Sequence, residues 1–306
     1  MTRLTEAAKG VYTIAVTPFL PDGAVDYDSI DSMVDFYVEK GASGLTILGI
    51  MGEAGKLAAD ESRTVIDRVL KRTDLPVIVG VSAPGLASIK ALGDTAMELG
   101  AAGVMVAPPA TLKTDAMILN YYRDVAEALG DTPFVLQDFP LVTNVQIDPK
   151  VILQIIEDCP TCVMLKHEDW PGLAKISALR AASDAGSRRI SILCGNGGQF
   201  LPEEMARGAD GAMTGFAYPE MMAQVIAAYD AGDTDRAHDL FDAYLPVIRF
   251  ETQPGLGLPV RKYILAKRGA IAHPTVRKPG AALSGPAVAE VDHLMARLER
   301  RLAELG

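Results

Sequence analysis

The chain has 306 residues, 49% hydrophobic and 22% charged, with a formal net charge of -10. That is an ordinary globular composition, enough for one large α/β domain or two small ones. The acidic balance, with no basic run and no interleaving of aromatic and basic residues, excludes non-specific nucleic-acid binding. No apolar stretch approaches the length that spans a bilayer. Three cysteines make no disulfide framework, so a reducing compartment is the default. Cys159 and Cys162 form a CxxC, but the pair closes a helix and opens a strand, whereas a redox pair needs its first cysteine at a helix N-terminus. The first ten residues lack the apolar core and small-residue cleavage site of a signal peptide, so a cytoplasmic protein is expected.

Short apolar runs recur along the chain with helical patterns between them. In order they are Val11–Val16, Gly44–Leu48, Val77–Val81, Gly103–Ala107, Phe134–Leu136, Cys162–Leu165, Ile190–Cys194 and Gly211–Thr214. The connecting segments carry 3.6-period faces, such as Ile30, Met33, Val34 and Tyr37, or Val65, Ile66, Val69 and Leu70. Eight alternating strand and helix units predict a closed (β/α)₈ TIM barrel over residues 1–230. The rival, a doubly wound open sheet, carries a glycine fingerprint after its first strand; here that strand runs into Thr17-Pro18-Phe19. Beyond residue 230 the strand pattern stops, and 234–250, 257–268 and 286–304 read as helices. A helical extension over 231–306, packed on the barrel, is expected, because no Gly-, Ser- or Pro-rich linker separates it.

Such a barrel places its site at the C-terminal ends of the strands. Those ends carry Thr17, Gly49-Ile50-Met51-Gly52-Glu53, Pro108-Pro109, Gln137-Asp138, Lys166-His167-Glu168, Gly195-Asn196-Gly197-Gly198 and Gly215. Lys166 stands out, since it closes an apolar strand. Partial desolvation there favours a neutral, nucleophilic amine that can condense with a ketone to a Schiff base. The competing reading is a lysine that caps the strand and pairs with Glu168 or Asp169. Glycine turns let backbone N–H groups approach a carboxylate closely, although glycines also simply make turns. The four histidines are scattered and no Cys/His metal spacing exists. Asp138, Glu168 and Asn196 follow three successive strands, and three oxygens so placed offer an alternative magnesium site.

Taken together, these motifs resemble the dihydrodipicolinate synthase and N-acetylneuraminate lyase family over nearly the whole chain. The resemblance rests on Val16-Thr17-Pro18-Phe19, the GxxGE turn Gly49–Glu53, Lys166-x-Glu168, Gly195 and the helical C-terminus. It implies a (β/α)₈ barrel, usually a homotetramer, a homodimer being the other expectation. It also implies a 2-oxo acid substrate, no cofactor and no metal. Lys166 would then form the Schiff base, and the backbone of Ile50 and Met51 would cradle the substrate carboxylate. Gln137, Asp138 and Glu168 would be the remaining catalytic residues, and Thr17, Gly195 and Gly215 further substrate-binding residues.

The departures from the family pattern are informative. Ile50 and Met51 replace two threonines, and Gln137-Asp138 replaces Tyr-Asn, the tyrosine being the family's proton shuttle. Glutamine has no titratable proton. Val142 stands where the synthase has a carboxylate-gripping arginine, and Ala110 lies near its second tyrosine. Gln-Asp on strand five, Lys-x-Glu on strand six and Gly211-Ala212-Met213-Thr214-Gly215 on strand eight are similar to dehydratases of 2-keto-3-deoxy sugar acids, notably 2-keto-3-deoxyarabonate. The expected activity is thus a class I lyase, dehydratase or aldolase, on a 2-keto-3-deoxy sugar acid. The alternatives are dihydrodipicolinate synthase proper, a metal-dependent lyase, and a non-catalytic sugar-acid binding barrel.

Overall fold

The computed structural model describes residues 3–170 and 172–306. Eight parallel strands close into a barrel in sequence order, β1 pairing with both β2 and β8. They are β1 (Gly10–Ile14), β2 (Gly44–Ile47), β3 (Val77–Gly80), β4 (Gly103–Val106), β5 (Phe134–Asp138), β6 (Cys162–His167), β7 (Ser191–Cys194) and β8 (Gly211–Ala212). Around them run α1 (Tyr27–Glu39), α2 (Ala59–Arg72), α3 (Leu86–Leu99), α4 (Asp115–Leu129), α5 (Pro140–Thr143) and α6 (Pro149–Asp158). The series continues with α7 (Leu173–Asp184), α8 (Leu201–Met205), α9 (Pro219–Asp230), α10 (Thr234–Glu251), α11 (Gly257–Lys267) and α12 (Gly285–Leu305). The expected TIM barrel with a C-terminal helical extension is therefore the observed fold. No helix among the described residues is long and apolar enough to cross a membrane.

The strands read as near-continuous apolar runs because both of their faces are covered. Alternate residues point inward, and Tyr12, Ile14, Ile78, Met105, Val135, Met164, Leu193 and Met213 pack together in one core inside the barrel. The intervening residues, among them Leu45, Val79, Leu136, Leu165 and Cys194, join the larger core between strands and helices. Helix α1 presents Ile30, Met33, Val34 and Tyr37 to that core, as its period predicts. Its first turn is fixed by Asp26, whose carboxylate accepts from the Ser29 amide and hydroxyl.

Strand ends depart from the apolar runs. Strand β5 continues through Gln137 and Asp138, and β6 through Lys166 and His167, because Gln137 pairs with Lys166 and Asp138 with His167. Main-chain pairing carries the strand past the point where its side chains turn polar. Strand β1 stops at Ile14 rather than Val16, and β8 shortens to two residues.

Helix α10 lies against α8, α9 and α12, and α11 packs on α10. Two charges of α11 are buried. Lys262 donates to the Thr17 carbonyl (2.7 Å), to Glu53 Oε1 (2.5 Å) and to the Thr275 carbonyl (2.8 Å). Arg261 bonds Glu251 Oε1 through Nε at 2.5 Å. Burial pushes the Lys262 ammonium down to about 8, against the pull of Glu53.

Candidate active site

A period of two decides what each strand-end residue faces. Gln137 follows the inward Val135, and Lys166 follows the inward Met164, so the two meet inside the barrel mouth as register partners. Glu168 continues that inward series one step past β6. Its Oε2 accepts from Gln137 Nε2 at 2.7 Å and lies 3.0 Å from Lys166 Nζ. All three side chains are buried. A cavity of about 460 Å³ opens over them.

The side chain of Glu168 lies across Gly195, where any Cβ would overlap its Cγ. Gly195 is thus glycine to admit Glu168, and it does not line the cavity. Asn196 donates from Nδ2 to the Glu168 carbonyl at 3.1 Å, which fixes the loop after β6.

Asp138 and His167 carry the opposite parity and lie outside the barrel wall, which corrects the expectation of a catalytic Asp138. Its carboxylate is fully buried and bonds Lys175 Nζ at 2.6 Å, and Lys175 also pairs with Asp169 at 2.8 Å. Burial lifts the Asp138 carboxyl to about 6, with Lys175 opposing, and lowers the His167 imidazole to about 4. The three oxygens considered for magnesium do not converge, because Asp138 faces the helix layer and Glu168 faces the cavity. Nor is the CxxC a redox pair: burial holds the Cys162 thiol up at about 12 and raises that of Cys159.

On β2 the chain turns at Gly49 into a single 3₁₀ turn, Ile50–Gly52. The N–H groups of Gly52 and Glu53 bond back to Gly49 and Ile50. Those of Ile50 and Met51 have no acceptor among the described residues, and both residues line the cavity. Glu53, with φ 55°, ends the turn in the left-handed region and is held there by Lys262, Lys56 and the Arg277 amide. Thr17 was expected to offer a hydroxyl to substrate. Its Oγ1 instead donates to the Gly52 carbonyl at 2.6 Å, so Thr17 braces the turn from behind.

The cavity has two kinds of wall. Ile50, Met51, Phe139, Leu141, Val142 and Leu258 form an apolar side, and Asn196, Gln199, Thr214, Thr252 and Gln253 a polar one. Gly215, expected to bind substrate, is among the residues that line it. Glu251 and Arg261 line it as well, and the sequence reading missed both. A signal existed: Arg261-Lys262 is a pair of adjacent charges inside an otherwise apolar helical stretch, Leu258–Leu265. Polar side chains in such a place need buried partners.

The Dihydrodipicolinate synthetase family model matches residues 7–298. The chain belongs to that family. It is a class I lyase. A crystal structure of dihydrodipicolinate synthase from Rhodopseudomonas palustris superimposes with a TM-score of 0.96 and 54% identity, covering 97% of this chain and 100% of that one. L-2-keto-3-deoxyarabonate dehydratase of Azospirillum brasilense is 29% identical over 96% of each chain. The 4-hydroxy-tetrahydrodipicolinate synthase of Pelobacter propionicus is 31% identical over 80% of this chain and 85% of its own.

Proposed function

We propose that the chain is a Schiff-base dehydratase or aldolase of a 2-keto-3-deoxy sugar acid, with Lys166 as the nucleophile. The observation that carries this reading is the Lys166–Glu168–Gln137 cluster at the floor of the cavity. Glu168 lies within hydrogen-bond reach of Lys166 and accepts its proton, leaving a neutral amine to attack the substrate ketone at C2. Glu168 returns that proton to the carbinolamine hydroxyl, which leaves as water to give an iminium, and the iminium acidifies C3. Glu168, again a carboxylate, removes a C3 proton, and the enamine forms. Its electrons expel the C4 hydroxyl, which takes the proton from Glu168 and leaves as water. In the aldolase variant the C3–C4 bond breaks instead, after the C4 hydroxyl gives up its proton. The enamine left by that cleavage takes a proton at C3 to become an iminium again, and in either variant hydrolysis of the iminium frees Lys166. Gln137 holds Glu168 in place and donates no proton of its own. The substrate carboxylate sits against the N–H groups of Ile50 and Met51, and the hydroxylated tail lies along Gln199, Thr252 and Gln253.

The apolar Val142 and the absence of any tyrosine from the cavity lining, among the described residues, speak against efficient condensation with aspartate semialdehyde. The name and 54% identity of the Rhodopseudomonas protein favour that second reading, synthase activity. Borohydride reduction in the presence of pyruvate or a 2-keto-3-deoxy sugar acid tests the first. The adduct is expected on Lys166, with Lys166→Ala folded, untrapped and inactive. An adduct on another lysine refutes the assignment. Condensation of pyruvate with aspartate semialdehyde at ordinary enzyme rates would favour the synthase.

A further inference from the structure

Arg261 is 4% exposed, yet only its Nε has a hydrogen-bond partner, Glu251. Nη1 is buried and has none among the described residues, and Nη2 makes no hydrogen bond either. Glu251 has both oxygens engaged, one by Arg261 and the other by the Ala217 amide at 3.1 Å. A brace between α10 and α11 would need only the Nε bond. Nη2 is not sealed off as Nη1 is, and Arg261 lines the cavity, so Nη2 is the nitrogen that can meet an acceptor there. Nη1, buried without an acceptor, is a costly donor unless a bound molecule shifts the guanidinium to engage it as well.

Gly215 gives a second, independent sign. A Cβ on it would fall on Arg261 Nη1, and its backbone does not lie in the left-handed region, so conformation does not demand glycine there. The residue is small so that the guanidinium can lie over the end of β8 at the cavity wall. That position also adjoins β1, since the same Cβ would come within 3.0 Å of the Ile14 carbonyl. Ile14 in turn lies beside Gly49, where the turn with the two free N–H groups begins.

We propose that Arg261 is a substrate-binding residue, which holds the carboxylate of the 2-oxo acid together with the main-chain N–H groups of Ile50 and Met51. This rests on the Schiff-base reading given above. A turn without side-chain hydroxyls thereby gains a charged donor from α11, and a planar guanidinium with two unengaged Nη groups suits a carboxylate.

The test measures borohydride trapping against concentration, with pyruvate and with a 2-keto-3-deoxy sugar acid, in the wild type, Arg261→Gln and Gly215→Ala. Arg261→Gln is expected to raise the half-saturating concentration about 10- to 100-fold for both ligands, with trapping at saturation still on Lys166. Gly215→Ala keeps both charges and displaces the guanidinium. It is expected to weaken both ligands in the same way, and it decides the matter if Arg261→Gln does not fold. Lower thermal stability with unchanged half-saturation would make Arg261 a brace and overturn the proposal. Weakening of the sugar acid alone would also overturn it, by placing Arg261 on the tail. If the wild type is not trapped at all, the Schiff-base reading fails separately. Calorimetric binding of pyruvate to the wild type and to Arg261→Gln then decides the role of Arg261, an unchanged affinity refuting it.

Discussion

In the proposed mechanism the chemistry turns on Glu168, one of whose oxygens serves both Lys166 and Gln137. Glu168→Gln keeps its shape and removes the proton acceptor. Turnover of the sugar acid should fall on the order of 10²–10⁴-fold, with trapping at Lys166 slowed as well. Steady-state rates and trapping time courses check this, and turnover at the wild-type rate would remove Glu168 from the mechanism. Lys166, Gln137 and Glu168 were legible from the sequence because strand ends of a parallel barrel are where such residues collect. Asp138 was misplaced, although the information was present. It adjoins Gln137, and neighbours on a strand face opposite sides. The charge pair Arg261-Lys262 inside an apolar helix signalled buried partners, but which partners Arg261 has was not legible, since Gly215 and Glu251 lie 46 and 10 residues away along the chain.

Among the elements, α11 does more than cover the barrel. Lys262 ties it to Thr17 after β1 and to Glu53 at the end of the β2 turn. Lys262→Met leaves the Glu53 carboxylate, buried in the wild type, to Lys56 and the Arg277 amide. Removing one member of a buried ion pair costs about 3–5 kcal/mol. Urea unfolding should show a loss of that order, together with a raised KM, as the turn that offers Ile50 and Met51 loosens. Full stability in that variant would mean that the turn holds itself. The number and order of strands were readable because both faces of each strand are buried. Their ends were not, because Gln137, Asp138, Lys166 and His167 continue the pairing after the apolar signal stops.

The stability of the whole molecule carries a pH dependence to which a buried carboxyl outside the cavity lining contributes. Glu204, on α8 beside Cys194, is buried, and burial lifts its carboxyl from an ordinary 4.5 to about 8. Between those values the folded protein binds the proton more tightly than the unfolded chain does. The contribution of Glu204 is therefore full below pH 4.5 and is lost as pH rises towards 8. Glu204→Gln is permanently neutral, so the variant should gain on the wild type by at least ~1 kcal/mol between pH 5 and pH 8. Urea unfolding at the two pH values measures the difference, and a constant gap between the two proteins would show that Glu204 ionises freely when folded.

Glu251, Arg261 and Lys262 all follow β8 in the chain. During synthesis, the eight strands leave the ribosome before any of these three residues. A nascent barrel can close while the Glu53 carboxylate still lacks Lys262 and the end of β8 lacks its guanidinium. The strand that carries Lys166 thus emerges before the part of the wall that Glu251 and Arg261 supply.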